Sequence, residues 1–200
     1  MRILITGTNS GIGKALKEAL NSKHEIWKIS KNISKDGNFF QCNLSEKEEI
    51  EKLDFGNTIF DVLIFNAGVG YYGEFFSQEM ANYEEIIKLN LFSPIRLLKK
   101  LEHNINKDTK IIFMGSIASK KFMKHGCVYL ASKFGLRGFA GGLKEEGKKV
   151  YIINPKIVDT DFHKGKIVLP ENVKSIGVKD VVGVFEEIID GKENRFEIDL

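Results

Sequence analysis

The chain reads as a doubly wound α/β fold, with about seven strands in a parallel sheet and helices on both faces. Three observations predict it. Short apolar, β-branched runs recur along all 200 residues. The stretches between them carry apolar residues at every third or fourth position, the period of a helix with one buried face. A glycine-rich turn joins the first strand to the first helix. Strands that alternate with helices build a parallel sheet, because right-handed crossovers lay helices on both faces.

The strand candidates are Ile3-Leu4-Ile5, Glu25 to Ile29, Phe39-Phe40, Val62 to Phe65, Ile111 to Met114, Val150 to Ile153 and Phe196-Glu197-Ile198. Four of them are almost wholly apolar, as strands covered on both faces should be. Helical patterns occupy Ile12 to Leu20, Met80 to Leu101, Val128 to Lys144 and Val181 to Ile189. With three prolines and no repeat or low-complexity linker, residues 1–200 read as one domain.

A hydrophobic fraction of 42% and a charged fraction of 28% are near globular averages, so the core needs neither disulfide nor metal. Net charge is +3, and Lys and Glu are interleaved over Glu46 to Lys52 and Lys144 to Lys149, the pattern of solvated helix faces. That argues against a nucleic-acid partner. Cys42 and Cys127 form no CxxC pair or metal-spaced cluster, which predicts no metal site and a reducing compartment. Cys127 reads as a buried structural thiol rather than a nucleophile. The four histidines are scattered without spacing logic; His163 is the one that could border a substrate, and a surface role is the safer reading. Met1-Arg2 runs straight into Ile3-Leu4-Ile5, too short an apolar run for a signal-peptide core, and no run approaches the roughly 20 residues of a membrane span. A cytoplasmic protein without membrane contact is expected.

In open parallel sheets, ligands bind beyond the carboxyl ends of the strands. After the first strand comes Thr6-Gly7-Thr8-Asn9-Ser10-Gly11-Ile12-Gly13. Glycines there permit a tight turn and close approach of a ligand, and the helix that follows offers free N–H groups to a pyrophosphate. The GxxxGxG spacing differs from the commoner GxGxxG fingerprint. After the second strand, Ile29-Ser30-Lys31-Asn32 offers no carboxylate for a ribose 2′-hydroxyl, whereas Lys31 suits a 2′-phosphate. NADP(H) is therefore favoured over NAD(H), with a plain solvated lysine as the competing reading.

Asn90 falls within a long helical pattern, on a largely apolar face where Asn is a poor helix former. Ser116 follows the fifth strand. Tyr129 and Lys133 stand four residues apart on one helix face. A free tyrosine has a pKa of roughly 10, and a cation within about 4–6 Å would lower it. Tyr129 could then exchange a proton with a carbonyl or alcohol oxygen while Ser116 hydrogen-bonds the same atom.

In this order these segments resemble the short-chain dehydrogenase/reductase family, with its TGxxxGIG turn, NAG tripeptide, helix Asn, Ser and YxxxK. The resemblance spans Arg2 to about Ile198 and implies a Rossmann fold and hydride transfer between NADP(H) and a carbonyl/alcohol substrate. It implies catalytic roles for Asn90, Ser116, Tyr129 and Lys133, with Asn90 distorting its helix and holding a water. It also implies dinucleotide contacts from Gly7, Asn9, Ser10, Gly11, Ile12 and Gly13; from Asn43 and Leu44 at the adenine; and from Asn66, Ala67 and Gly68 at a ribose. Tyr129, Lys133, Pro155, Ile157 and Thr160 would lie at the nicotinamide end.

The chain departs from the pattern in places. Many NADP-preferring members carry a basic residue where Ser10 stands, the usual Asp is Asn43, the first Asn of NNAG is Phe65, and Lys156 replaces a glycine. At a positive φ, Lys156 would cost about 1–2 kcal/mol. Asp161 to Val178 reads as an abbreviated substrate lid, and Val69, Tyr71, Ile117, Phe122 and Met123 as apolar pocket candidates for a hydrophobic carbonyl compound. Relatives pair through the YxxxK helix, which implies a homodimer or homotetramer. A non-catalytic dinucleotide sensor or scaffold is the alternative; an extended-type epimerase is disfavoured because it needs a larger C-terminal domain.

Overall fold

The structure is a computed structural model that describes residues 1–32, 37–160, 162 and 175–200. Its strands are β1 (Arg2–Thr6), β2 (Glu25–Ser30), β3 (Phe39–Gln41), β4 (Val62–Phe65), β5 (Lys110–Met114), β6 (Lys149–Asn154) and β7 (Glu197–Asp199). All seven form one sheet in the order β3-β2-β1-β4-β5-β6-β7, every pairing parallel. Each contains or overlaps a run marked by the sequence.

The helices are α1 (Gly11–Leu20), α2 (Lys47–Glu51), α3 (Met80–Ile87), α4 (Ser93–Lys100), α5 (Cys127–Glu145) and α6 (Val178–Asp190). Side chains alternate across each strand, so one run serves two cores. Leu4, Leu63, Phe113 and Ile152 meet Leu97 and Leu101 near α4 and Leu136 of α5. Ile3, Ile5, Ile64 and Ile153 meet Leu16 and Leu20 of α1 and Val181 and Phe185 of α6. Burying each such side chain contributes about 1.5–3 kcal/mol, which is why these strands carry almost no polar residues.

The helical pattern from Met80 to Leu101 is interrupted. A wider, π-type turn occupies Lys88–Phe92, between α3 and α4, with Asn90 at its centre. The charged stretch that reads as a solvated face contains α2, held by one buried residue, Ile50. Of the expected lid, residues 161 and 163–174 lie outside the described residues, and so does His163; Val178 opens α6.

Strand order reverses between β1 and β4, as the chain leaves one half of the sheet for the other. Loops leaving the carboxyl ends of these two strands diverge there, and that divergence opens the crevice in which such sheets bind ligands.

Candidate active site

A cleft of about 1260 Å³ lies along the carboxyl edge of the sheet. Its floor at one end is the turn between β1 and α1. Gly7 adopts φ +72°, and a Cβ there would sit 2.9 Å from the Ala67 Cα. Thr6 secures the turn from below: its hydroxyl accepts from the backbone N–H groups of Asn66 and Ala67, both at 3.0 Å. The Asn66 side chain donates to the carbonyls of Thr6 and Gly7, each at 3.1 Å. A Cβ on Gly13 would lie 2.0 Å from the Gly7 carbonyl oxygen. Gly13 is buried beneath the turn and off the cleft wall, so it allows α1 to close on β1 rather than touching a ligand.

The structure brings Gly7, Asn9, Ser10, Gly11 and Ile12 to the cleft wall together with Ala67 and Gly68. Lys31, Asn43 and Leu44 line the end beyond β2 and β3. Asn9 is tied to the Asn32 carbonyl at 3.4 Å. The Asn43 amide oxygen accepts from the Ser45 N–H at 3.2 Å, a local turn that fixes the side chain and leaves one lone pair for a ligand. Pro155, Ile157 and Thr160 form the opposite wall. Lys156 carries no backbone penalty, because His125 is the one non-glycine with positive φ among the described residues.

Ser116, Tyr129 and Lys133 converge at the carboxyl end of β5. Ser116 caps a short 3₁₀ turn, its hydroxyl accepting from the Ala118 N–H at 3.1 Å. Tyr129 and Lys133 share the buried face of α5. The Lys133 ammonium donates to the Met114 carbonyl at 2.9 Å and lies 5.8 Å from the centre of the Tyr129 ring. Burial pushes this amine down to about 8.

The sequence assigns Lys133 the task of lowering the Tyr129 pKa, and the electrostatics of the protein alone run the other way. Burial drives the phenol up, and hydrogen bonds from Ser116 and Tyr72 offset this only in part. Both groups are buried, and burial makes each charged form costly. Burial thus favours the neutral phenol at Tyr129.

Asn90 is off the cleft wall, behind Gly68. Its amide accepts from the Val69 N–H and donates to the Val69 carbonyl, both at 2.8 Å, and donates to the Ser132 hydroxyl at 3.1 Å. The widened helix turn lets this side chain pair with the β4 loop instead of its own backbone.

Among the apolar candidates, Ile117 and Met123 line the cleft. Tyr71 turns aside to donate to Glu85 at 2.6 Å, Val69 packs with Tyr83 and Tyr129, and Phe122 is exposed, stacked on Phe134. Tyr72, which the sequence reading passed over, faces the cleft instead. Cys127 is exposed at the first turn of α5, which corrects its reading as a buried thiol; a helix start at the rim of a cleft leaves its first side chain in solvent. Cys42 is the buried one, its thiol raised to about 11 by burial.

Asn154 is a further residue without a sequence signal. Fully buried at the end of β6, it accepts from the Ser116 N–H at 3.2 Å and the Ser119 hydroxyl at 3.3 Å. It donates to Glu197 at 2.9 Å and Asp199 at 3.2 Å. Glu197 is paired with Arg137 of α5 at 2.7 Å and with Lys120 at 3.2 Å. Burial alone would raise Glu197, yet its bonds from Arg137, Lys120 and Asn154 hold it below the usual carboxylate range. One amide thus links the serine loop to the helix bearing Tyr129.

Among the described residues no helix is long and apolar enough to cross a membrane, and no cluster of His, Cys, Asp or Glu could hold a metal ion.

Residues 1–167 match the family model described as short chain dehydrogenase. The chain is 30% identical over 179 residues to the 3-oxoacyl-(acyl-carrier-protein) reductase FabG of Buchnera aphidicola, covering 79% of this chain and 73% of that protein. The enzyme of the same name from Haemophilus influenzae is 29% identical over 182 residues, or 80% and 74% of the two chains. Among solved structures, the alcohol dehydrogenase of Thermococcus sibiricus complexed with 5-hydroxy-NADP superposes with a TM-score of 0.85 at 21% identity, covering 100% of this chain and 95% of that one. BdcA in complex with NADPH gives 0.83 at 19% identity, with 99% and 92% covered.

Proposed function

The chain belongs to the short-chain dehydrogenase/reductase family, a group of oxidoreductases, and from that premise we propose that it reduces a carbonyl compound with NADPH, Tyr129 being the proton donor. The observation that carries this reading is the meeting of the Tyr129 phenol, the Ser116 hydroxyl and the Lys133 ammonium in the cleft that the glycine turn opens.

A dinucleotide fits the cleft by its donors and by its shape. The turn at Gly7 is a cradle that a Cβ would fill, and the first N–H groups of α1, from Gly11 onward, face an anion. Asn43 and Leu44 would hold the adenine, Asn66 to Gly68 a ribose, and Pro155, Ile157 and Thr160 the nicotinamide end. Lys31 would pair with the 2′-phosphate, which favours NADP(H) over NAD(H).

A dinucleotide held by these residues would supply hydride chemistry at a carbonyl carbon. Ser116 hydrogen-bonds the carbonyl oxygen and steadies its growing charge. Tyr129, kept neutral by burial, transfers its proton to that oxygen. Lys133 stays fixed by Met114 and keeps positive charge beside the phenolate that results. Asn90 holds the loop that carries Gly68.

Ile117, Met123 and Phe162 give the outer cleft an apolar wall, suited to a carbonyl compound with a hydrophobic substituent. The relatives' naming as 3-oxoacyl reductases points the same way. Phe92, exposed between α3 and α4, and the open glycines 138 and 142 of α5 support pairing into a homodimer or homotetramer.

The test is NADPH oxidation, followed by absorbance, over a panel of ketones, aldehydes and 3-oxoacyl thioesters. Turnover with NADPH exceeding that with NADH, and reversal of this preference by Lys31→Glu, is the expected result. Tight NADPH binding without turnover on any carbonyl would favour the sensor alternative.

A further inference from the structure

Three hydroxyl groups meet at the reacting end of the cleft, although the proposed chemistry uses two. The third belongs to Tyr72, in the loop that follows β4. Its ring lies 5.3 Å from the Tyr129 ring, centre to centre, tilted by 52°. Both rings line the cleft, and the nearness of the Tyr72 hydroxyl favours the ionised form of Tyr129.

The surrounding chain is shaped to this ring. A Cβ on Gly70 would lie 3.0 Å from the Tyr72 Cε2 and 3.2 Å from its hydroxyl; one on Gly126 would lie 3.6 Å from Cδ1. The ring therefore lies between two positions that carry no side chain. The loop is pinned as well: the Gly73 N–H donates to the His125 carbonyl at 2.8 Å, and His125 itself takes φ +62°. That bond joins the Tyr72 loop to the segment entering α5, two residues before Cys127. A tyrosine placed only to line an apolar wall has no need to be clamped against the Tyr129 ring.

We propose that Tyr72 is a further catalytic residue, whose hydroxyl donates a hydrogen bond to the Tyr129 oxygen and stabilises the phenolate formed there. In reduction, the carbonyl carbon receives the hydride and the carbonyl oxygen takes the Tyr129 proton, which leaves one negative charge on the Tyr129 oxygen. Tyr72 donates to that oxygen without giving up its own proton, because burial and the neighbouring phenol hold Tyr72 far above the ordinary tyrosine range. In alcohol oxidation the same bond favours the ionised Tyr129 that must accept the substrate proton. Ser116 is free to leave Tyr129 for the substrate oxygen, and Tyr72 then remains as the donor to the phenolate. This inference rests on the reading of Tyr129 as the proton-transfer residue.

The experiment uses the full chain with NADP⁺ and the alcohol form of its best carbonyl substrate, comparing wild type, Tyr72→Phe and Tyr129→Phe. A hydrogen bond to a charged oxygen is worth roughly tenfold or more in an ionisation constant. Tyr72→Phe is expected to move the ascending limb of the kcat–pH profile about one unit to higher pH and to cut kcat about tenfold below that limb. The KM for NADP⁺ should stay within about twofold. A profile that superposes on wild type while Tyr129→Phe is inactive overturns the proposal alone; so does a raised substrate KM with an unmoved limb, the mark of a wall residue. Full activity in Tyr129→Phe overturns the underlying reading as well.

Discussion

Replacing Asn154 with alanine tests how the serine loop is held. The substitution removes the acceptor of two donors, the half-buried Ser116 N–H and the buried Ser119 hydroxyl. Each orphaned donor costs about 1–3 kcal/mol. The contacts are long, 3.2 and 3.3 Å, which argues for the lower half of that range. Glu197 and Asp199 lose a donor too, but they keep Lys120 and Arg137 and add little. The sum is about 3 kcal/mol. A domain of this size loses about 2–4 °C of Tm per kcal/mol, so the melting point should fall by about 6–12 °C. Ser116 then loses its backbone anchor, and a displacement near 1 Å can cost about a hundredfold in rate, so kcat should fall by between about ten- and a hundredfold. Thermal melts by circular dichroism and steady-state kinetics on the same preparation measure both. A Tm within about 1 °C of wild type, with unchanged kcat, would refute the view that Asn154 joins the two halves of the site.

Two further outcomes are expected. Gly13→Ala forces a Cβ to within 2.0 Å of the Gly7 carbonyl, so NADPH affinity measured by fluorescence quenching should fall at least tenfold, and retained affinity would contradict the packing of the turn. Lys133 has a folded-state pKa of about 8 against roughly 10.4 in an unfolded chain. Between those values the unfolded chain binds more protons, so stability rises with pH through that window, while below about pH 8 both states are protonated and the burial penalty is constant. The difference in unfolding free energy between wild type and Lys133→Met should therefore climb from about pH 8 to 10.5; a flat difference would contradict the burial of a charged amine there.

The sheet was legible because fully covered strands must be apolar, and Ile3 to Ile5, Val62 to Phe65 and Ile111 to Met114 satisfy that rule with little competition from helix periodicity. Most residues brought to the cleft were legible for a related reason: they follow a strand, so topology delivers them, whereas Tyr129 and Lys133 are marked by their spacing on one face of α5. Other features depend on orientation, which sequence carries weakly. Tyr71 and Tyr72 are adjacent, and neighbours in an extended loop point opposite ways, so nothing local says which phenol enters the cleft. Asn154 looks like any strand-end Asn until its four partners, 35 to 45 residues away in sequence, are seen together. The charge logic of Tyr129 and Lys133 was read from spacing, whereas the balance between burial and attraction belongs to the packed pocket. Cys127 is exposed while Tyr129 and Leu130 of the same first turn are buried, a difference set by how α5 docks and carried by no local signal.

The central claim is that a protonated Tyr129 delivers the proton as hydride reaches the substrate. Tyr129→Phe removes one oxygen and leaves the ring that packs beside Tyr72 and Phe162. General acid catalysis is worth roughly 10²–10⁴, so carbonyl reduction should slow by about that factor while NADPH binds as in wild type. Reduction at the wild-type rate by this variant, with the dinucleotide bound normally, would contradict the account.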